Sequence, residues 1–185
     1  MQDGLTEEKL TEEKGTPEKR SSGKWLFLLL GLLGLGLIIP LTMSVLDHKP
    51  AFKVDKYEPD QQQFKNEIAT MVQKYTVRYE GEGEKRVAIV HPPAGSDIYM
   101  LAKNYDWGDY ILELEKGKTY RWHIASFDMK HAIVVRPLNI MNRVKRGKAI
   151  VLTITPQLAG KFDIVCGEFC GPGHGSMNGK LYIIE

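Results

Sequence analysis

Cys166-Gly167-Glu168-Phe169-Cys170-Gly171-Pro172-Gly173-His174-Gly175-Ser176-Met177 gathers both cysteines of the chain, a histidine and a methionine into one glycine-rich stretch. Thiolate, imidazole and thioether together are a donor set that suits copper. Met177 is the discriminating member, because zinc sites are built from cysteine sulfur, histidine nitrogen and carboxylate oxygen. The spacing of Cys166 and Cys170 lets both sulfurs face one point, and glycines at 167, 171, 173 and 175 permit the tight turns this needs. One loop does not easily close a metal site alone. A second contribution is expected from a neighbouring strand, and His131, in Ser126-Phe127-Asp128-Met129-Lys130-His131, is the candidate.

A single thiolate with two imidazoles and a weak methionine makes a mononuclear blue-copper site. Two thiolates can instead bridge two copper ions, each completed by one histidine and one weak ligand. An electron added to such a pair spreads over both metals, so geometry changes little on reduction. That behaviour suits electron transfer rather than substrate turnover. Two plainer readings compete. A disulfide between Cys166 and Cys170 leaves His174, Met177 and the glycines unexplained. A closed zinc site from Cys166, Cys170, His174 and His131 leaves Met177 without a role.

The spacing Cys-x-Glu-x-Cys-Gly-x-x-His-x-x-Met, with Ser-x-Asp-x-x-His upstream, resembles the CuA domain of cytochrome c oxidase subunit II. It is most similar to the compact single-span subunits of B-type heme-copper oxidases. The resemblance covers roughly the last half of the chain. It implies copper ligands at His131, Cys166, Cys170, His174 and Met177, with Glu168 giving its backbone carbonyl. It also implies a use of the Glu168 side chain in related enzymes, toward a magnesium ion at the boundary with subunit I. The implied fold is all-β, a cupredoxin-like Greek-key sandwich or barrel anchored by one N-terminal transmembrane helix. The implied role is electron entry to a terminal oxidase. Cytochrome c or a similar donor reduces the dicopper centre, and the electron leaves toward heme in subunit I, where oxygen is reduced. This chain would hold no oxygen-reducing site of its own. A nitric oxide reductase could use the same subunit, and a membrane-anchored copper-binding protein is a further alternative.

The elements that must position these ligands can be read in chain order. Residues 1–24 are polar and charged, with no usable core, and read as a mobile cytoplasmic tail. Residues 25–46 carry no charge and are overwhelmingly apolar, long enough at about 1.5 Å per residue to cross a hydrocarbon layer of about 30 Å. Trp25 stands where an interfacial aromatic belongs, and no small-residue cleavage site follows, so a retained single-pass anchor in a plasma or inner membrane is expected. Lysines flank both ends of the span, so charge orients it only weakly. A bridged thiolate centre fits an extracytoplasmic domain, so the N-terminus is expected inside and the C-terminal domain outside the cytoplasm.

Residues 47–74 read as a linker followed by an amphipathic helix. Asp60 is its cap and Gln63 the capping-box partner, while Phe64, Ile68, Met71, Val72 and Tyr75 make one apolar face. Residues 75–185 then read as short strands, at 86–90, 97–103, 110–114, 118–125, 131–136, 149–155, 161–166 and 180–184, a pattern of sandwich or barrel type. In the strand at 118–125, Tyr120, Trp122 and Ile124 share one face, and His123 falls on the other as a surface residue. His48 and His91 are assigned to no metal. Asn104-Tyr105-Asp106-Trp107-Gly108-Asp109-Tyr110 is an aromatic cluster that could receive an electron donor, with Tyr105 or Trp107 as the entry residue.

Charge is nearly balanced, at +2 over the whole chain. There is no basic stripe with interleaved aromatics, no phosphate-binding glycine loop and no hydrolytic constellation, so nucleic acid is not an expected partner. The slight positive balance disfavours strong steering of a basic cytochrome, which leaves docking through an apolar patch around Tyr105.

Overall fold

The computed structural model describes residues 25, 27–33, 36 and 53–185. Contacts divide the chain into two units, Met1–Lys49 and Pro50–Glu185. In the first unit, residues 25, 27–33 and 36 are helical. The remainder of the expected anchor over 25–46, and the tail over 1–24, lie outside the described residues. Among the described residues no helix is long and apolar enough to cross a membrane.

The second unit is a two-sheet sandwich. Its strands are β1 Val54–Tyr57, β2 Thr76–Glu80, β3 Val87–Val90, β4 Asp97–Ala102, β5 Tyr110–Glu115, β6 Tyr120–Ser126, β7 His131–Val135, β8 Ile140–Val144, β9 Lys148–Ile154, β10 Gly160–Cys166 and β11 Asn178–Ile184. One helix, α1 (Gln61–Tyr75), precedes β2. The smaller sheet runs β1-β9-β6-β4 and the larger β2-β3-β5-β11-β10-β7-β8. Most neighbours are antiparallel, but β4 with β6, β3 with β5 and β5 with β11 are parallel. The parallel pairs follow from connectivity. β4, β5 and β6 alternate between sheets, so β4 and β6 run the same way with the opposite sheet as their crossover.

The core lies between the sheets. Tyr120, Trp122 and Ile124 of β6 are fully buried, as period-2 alternation requires, and face Leu112, Leu114, Ile133, Leu181 and their neighbours. Each such side chain contributes about 1.5–3 kcal/mol through apolar burial. β7 departs from alternation, with His131-Ala132-Ile133-Val134-Val135 buried throughout. It is an interior strand whose outer face is also covered, and that double burial explains the unbroken apolar run after His131.

The three strands not expected from the sequence, β1, β2 and β8, are all sheet edges. Most of their side chains are exposed or half-buried, so little apolar alternation marks them. Backbone pairing to β9, β3 and β7 makes them strands. The linker expected at 47–58 thus ends in an edge strand. α1 forms as expected. Asp60 caps it by accepting from the Gln63 N–H at 2.8 Å, and Thr76 closes it with its N–H on the Val72 carbonyl. Phe64 and Met71 are buried, with Ile68, Val72 and Tyr75 packed on the sandwich.

His123 is a correction. It lies on the outward face of β6, yet it is 7% exposed. Tyr57 of β1 covers it, its hydroxyl 3.0 Å from Nδ1, while Asp97 lies 3.1 Å from Nε2 and Tyr99 stacks on the ring at 4.7 Å. The edge strand and its aromatic neighbour bury a position that alternation alone leaves outside. Burial lowers the imidazole below its ordinary 6.5 and outweighs the upward pull of Asp97. A histidine depressed in the fold contributes stability above its unfolded pKa and loses it as pH falls. His123→Gln is expected to cost about 1 kcal/mol at pH 8, and the gap from wild type should narrow as pH falls from 7 to 5. Denaturant unfolding of both chains across that range checks it, and a gap that widened on acidification would refute the assignment.

Candidate metal centre

β10 ends at Cys166 and β11 begins at Asn178, and the two strands pair antiparallel up to Val165 opposite Asn178. The loop of candidate ligands is therefore the connection of a hairpin. Its mouth is closed by the Cys166 N–H on the Met177 carbonyl at 3.4 Å, which brings the first and last candidate ligands together. On its other side β10 pairs with β7, Cys166 opposite Ile133. His131 lies two residues before Ile133, hence on the same face, and that places the imidazole beside the Cys166 sulfur.

The candidate donors converge. His131, Cys166 and Cys170 are buried, with ligand atoms all within 4.8 Å of one another. Cys166 Sγ lies 3.8 Å from His131 Nδ1 and 3.1 Å from the Glu168 carbonyl oxygen. Cys170 Sγ lies 3.6 Å from His174 Nδ1 and 3.7 Å from Met177 Sδ. The cysteines are free thiols, so the disulfide reading does not describe this fold. Each sulfur thus has one imidazole and one weak donor beside it. A copper pair held there would need two imidazoles and two weak donors in all, and the cluster holds that number. Met177 is 1% exposed with its sulfur turned to Cys170, a placement a four-ligand zinc site leaves unused. The residues present fit copper. Burial first, and then the adjacent Cys166 sulfur, push the Cys170 thiol up to about 11, so metal entry must displace its proton.

The imidazole of His131 is oriented from behind. Its Nε2 is 3.0 Å from Asp128 Oδ1, which leaves Nδ1 for the sulfur side. Asp128 in turn accepts from Ser126 Oγ at 2.9 Å, the Met129 N–H at 2.6 Å and the Asn104 N–H at 2.8 Å. Burial pushes its carboxyl up, but these hydrogen bonds, that of His131 foremost, outweigh burial and hold it below the usual range.

The Asn104 bond ties the aromatic segment to the centre. Tyr105 is half-buried with its ring over the loop. A Cβ at Gly173 would stand 2.3 Å from Tyr105 Cδ2, and one at Gly171 would stand 2.7 Å from its hydroxyl oxygen. Only Gly171 of the four loop glycines also has a positive φ, at 115°. Gly167 is small for a different reason, since a Cβ there would meet Val134 at 2.6 Å where the loop crosses β7. Trp107 is buried rather than exposed, its ring 6.4 Å from that of His131.

Two features escaped the sequence reading. Phe169, between the cysteines, is 72% exposed with its ring 5.8 Å from that of His174. Glu168 turns its carboxylate away from the sulfurs to Lys130 and Arg143, and the Lys130 hydrogen bond holds it below the usual carboxylate range. A charged residue beside His131 was the available signal for that pair.

No family model matches the chain. Among curated proteins, 112 residues are 30% identical to a cytochrome c oxidase subunit 2 of Thermus thermophilus, covering 60% of this chain and 83% of that protein. The chain belongs to the cytochrome c oxidase subunit 2 family. A second member, from a named strain of the same species, is also 30% identical over 112 residues and is covered for 67% of its length. Among solved structures, the periplasmic domain of subunit II of cytochrome oxidase from Bradyrhizobium japonicum aligns over 51% of this chain and 87% of its own, with 18% identity and a TM-score of 0.45. A heme-copper terminal oxidase dimer aligns over 90% of this chain and 100% of its own, with 18% identity and a TM-score of 0.46.

In this member of the subunit 2 family, the seat of Tyr105 can be tested directly. Gly173→Ala is expected to destabilise the metal-free chain by about 1–3 kcal/mol through overpacking against the ring. In a Tyr105→Ala background the same substitution should cost less than half as much. Equilibrium unfolding of the four chains gives the coupling, and strict additivity would show that ring and glycine do not meet.

Proposed function

We propose that the chain is the electron-entry subunit of a terminal heme-copper oxidase. It accepts electrons from cytochrome c, or a similar donor, at a dinuclear CuA centre and passes them to heme in subunit I. The observation that carries this reading is the convergence of two free thiols, two imidazoles, a thioether and a peptide carbonyl in one mostly buried cluster. When bound there, the copper pair supplies a one-electron relay with little structural change on reduction.

The chain's own residues do the rest. His131, Cys166, Cys170, His174, Met177 and the Glu168 carbonyl hold the metals. Asp128 fixes the His131 tautomer. The paired strands and the Tyr105 ring keep the loop in one geometry, and burial of the sulfurs keeps water away from them. Tyr105 is the entry residue at the surface of the loop, with Trp107 behind it against His131. His174, half-buried beside exposed Phe169, is the exit side toward subunit I.

The same reading makes residues 25–46 a single transmembrane anchor, with the N-terminus cytoplasmic and the copper domain on the periplasmic side. Supporting it, the large apolar side chains described in that stretch, Trp25, Phe27, Leu28, Leu29, Leu30, Leu32 and Leu33, are all exposed, which suits a lipid surround.

Copper titration of the purified chain should saturate at two ions per chain, with visible absorption and one unpaired electron shared between the metals. Cys170→Ser should abolish that signal and turnover of the complex. One bound zinc without visible absorption would overturn the reading. Tyr105→Leu, which keeps apolar bulk over Gly171 and Gly173, should leave two coppers bound while slowing reduction by cytochrome c roughly tenfold, equivalent to about 1.4 kcal/mol in activation free energy. An unchanged rate would remove Tyr105 as the entry point. Oxygen and nitric oxide consumption by the complex separates an oxidase from a nitric oxide reductase.

A further inference from the structure

Glu168 faces two ways. Its carbonyl oxygen lies 3.1 Å from Cys166 Sγ, on the donor side of the loop. Its carboxylate points out over β7 and β8, where Oε1 accepts from Lys130 Nζ at 2.8 Å and Oε2 pairs with Arg143 Nε at 2.9 Å. Both carboxylate oxygens are taken, and the side chain is 18% exposed. Lys130 immediately precedes His131, and Arg143 on β8 stands opposite Ala132 on β7. The two cations thus belong to the same strand pair that carries the His131 ligand. The loop is stitched to that pair a second time by the Gly167 N–H on the Ala132 carbonyl at 2.8 Å.

This arrangement does not fit a magnesium ion on the Glu168 carboxylate. Magnesium is a hard cation that needs free oxygen ligands, and here an ammonium and a guanidinium occupy both oxygens and repel a further dication. We propose instead that Lys130 and Arg143 are positioning residues. They grip the Glu168 side chain from the strand pair bearing His131 and so set the distance of the Glu168 carbonyl from the copper pair. The proposal rests on the dicopper reading above. Lys130 and Arg143 are 67% and 81% exposed, so their ion pairs add little to global stability. Their effect falls on one carbonyl. A weak ligand of this kind tunes the potential and spectrum of a copper–thiolate site more than its affinity.

The test compares the full chain with Lys130→Ala/Arg143→Ala, and with Lys130→Arg as the conservative variant. In the metal-free chains, amide hydrogen exchange at Gly167, whose N–H is held by the Ala132 carbonyl, should be roughly tenfold faster in the double variant and near wild type in Lys130→Arg. Loaded with copper, the double variant should keep two ions but shift its visible bands and midpoint potential, and Lys130→Arg should restore both. In the assembled complex, Mn2+ added as a magnesium probe should give no bound signal that Glu168→Gln removes. Unchanged exchange, or an unshifted spectrum and potential at full copper occupancy, would overturn the clamp. A Glu168-dependent Mn2+ signal would overturn it too. Wild-type chain that fails to bind two coppers would sink the dicopper reading instead, with the exchange result still deciding whether the loop is clamped.

Discussion

The structure depends on one strand, β10, pairing on both sides at its last residues. Cys166 is held against β7 on one flank and against the mouth of the loop on the other. Backbone hydrogen bonds in a sheet have little slack. A one-residue slip of β7 against β10 would turn His131 to the opposite face and empty the site of one imidazole. The apolar filling of β7, buried on both faces, is what pins that register. The sandwich core therefore sets the distance between His131 and Cys166 as surely as it sets stability.

The loop itself is held by contacts rather than by internal regularity. Its one regular piece is a short 3₁₀ turn, His174–Ser176, which turns His174 back toward Cys170. Around it, Tyr105 presses on Gly171 and Gly173, Val134 presses on Gly167, and the Glu168 carboxylate is tied down by two cations. Every fixed point belongs to a different part of the chain. Fixed points of this kind would limit a change of loop shape, which is the property a relay needs.

Hydrogen bonds behind His131 hold the imidazole in turn. Asp128 accepts four hydrogen bonds, from His131, Ser126, Met129 and Asn104, and so joins the strand that carries His131 to the aromatic segment. The surface where a donor would approach and the imidazole where the metal would sit thus share one carboxylate. Trp107 lies between them as packing, beside His131 and against Gly179.

Residue types and spacing alone pointed to the candidate donors of the loop, because thiolate, imidazole and thioether within twelve positions have few uses besides copper. They also determined the capped helix α1 and the inward face of β6, since both follow from periodicity that one element carries by itself. What only the tertiary structure decided involves partners distant in the chain. The edge strands β1, β2 and β8 show little pattern of their own and exist through their neighbours. Burial of His123 comes from Tyr57 and Asp97, and burial of Trp107 from its packing against Gly179. The loop glycines looked like turn residues, yet two of them are small because the Tyr105 ring lies on them. The Glu168 carboxylate, whose direction spacing leaves undetermined, is aimed by cations from β8 and from the residue before His131. Local periodicity is written in consecutive residues, whereas close approach between distant segments appears only once the chain has closed on itself.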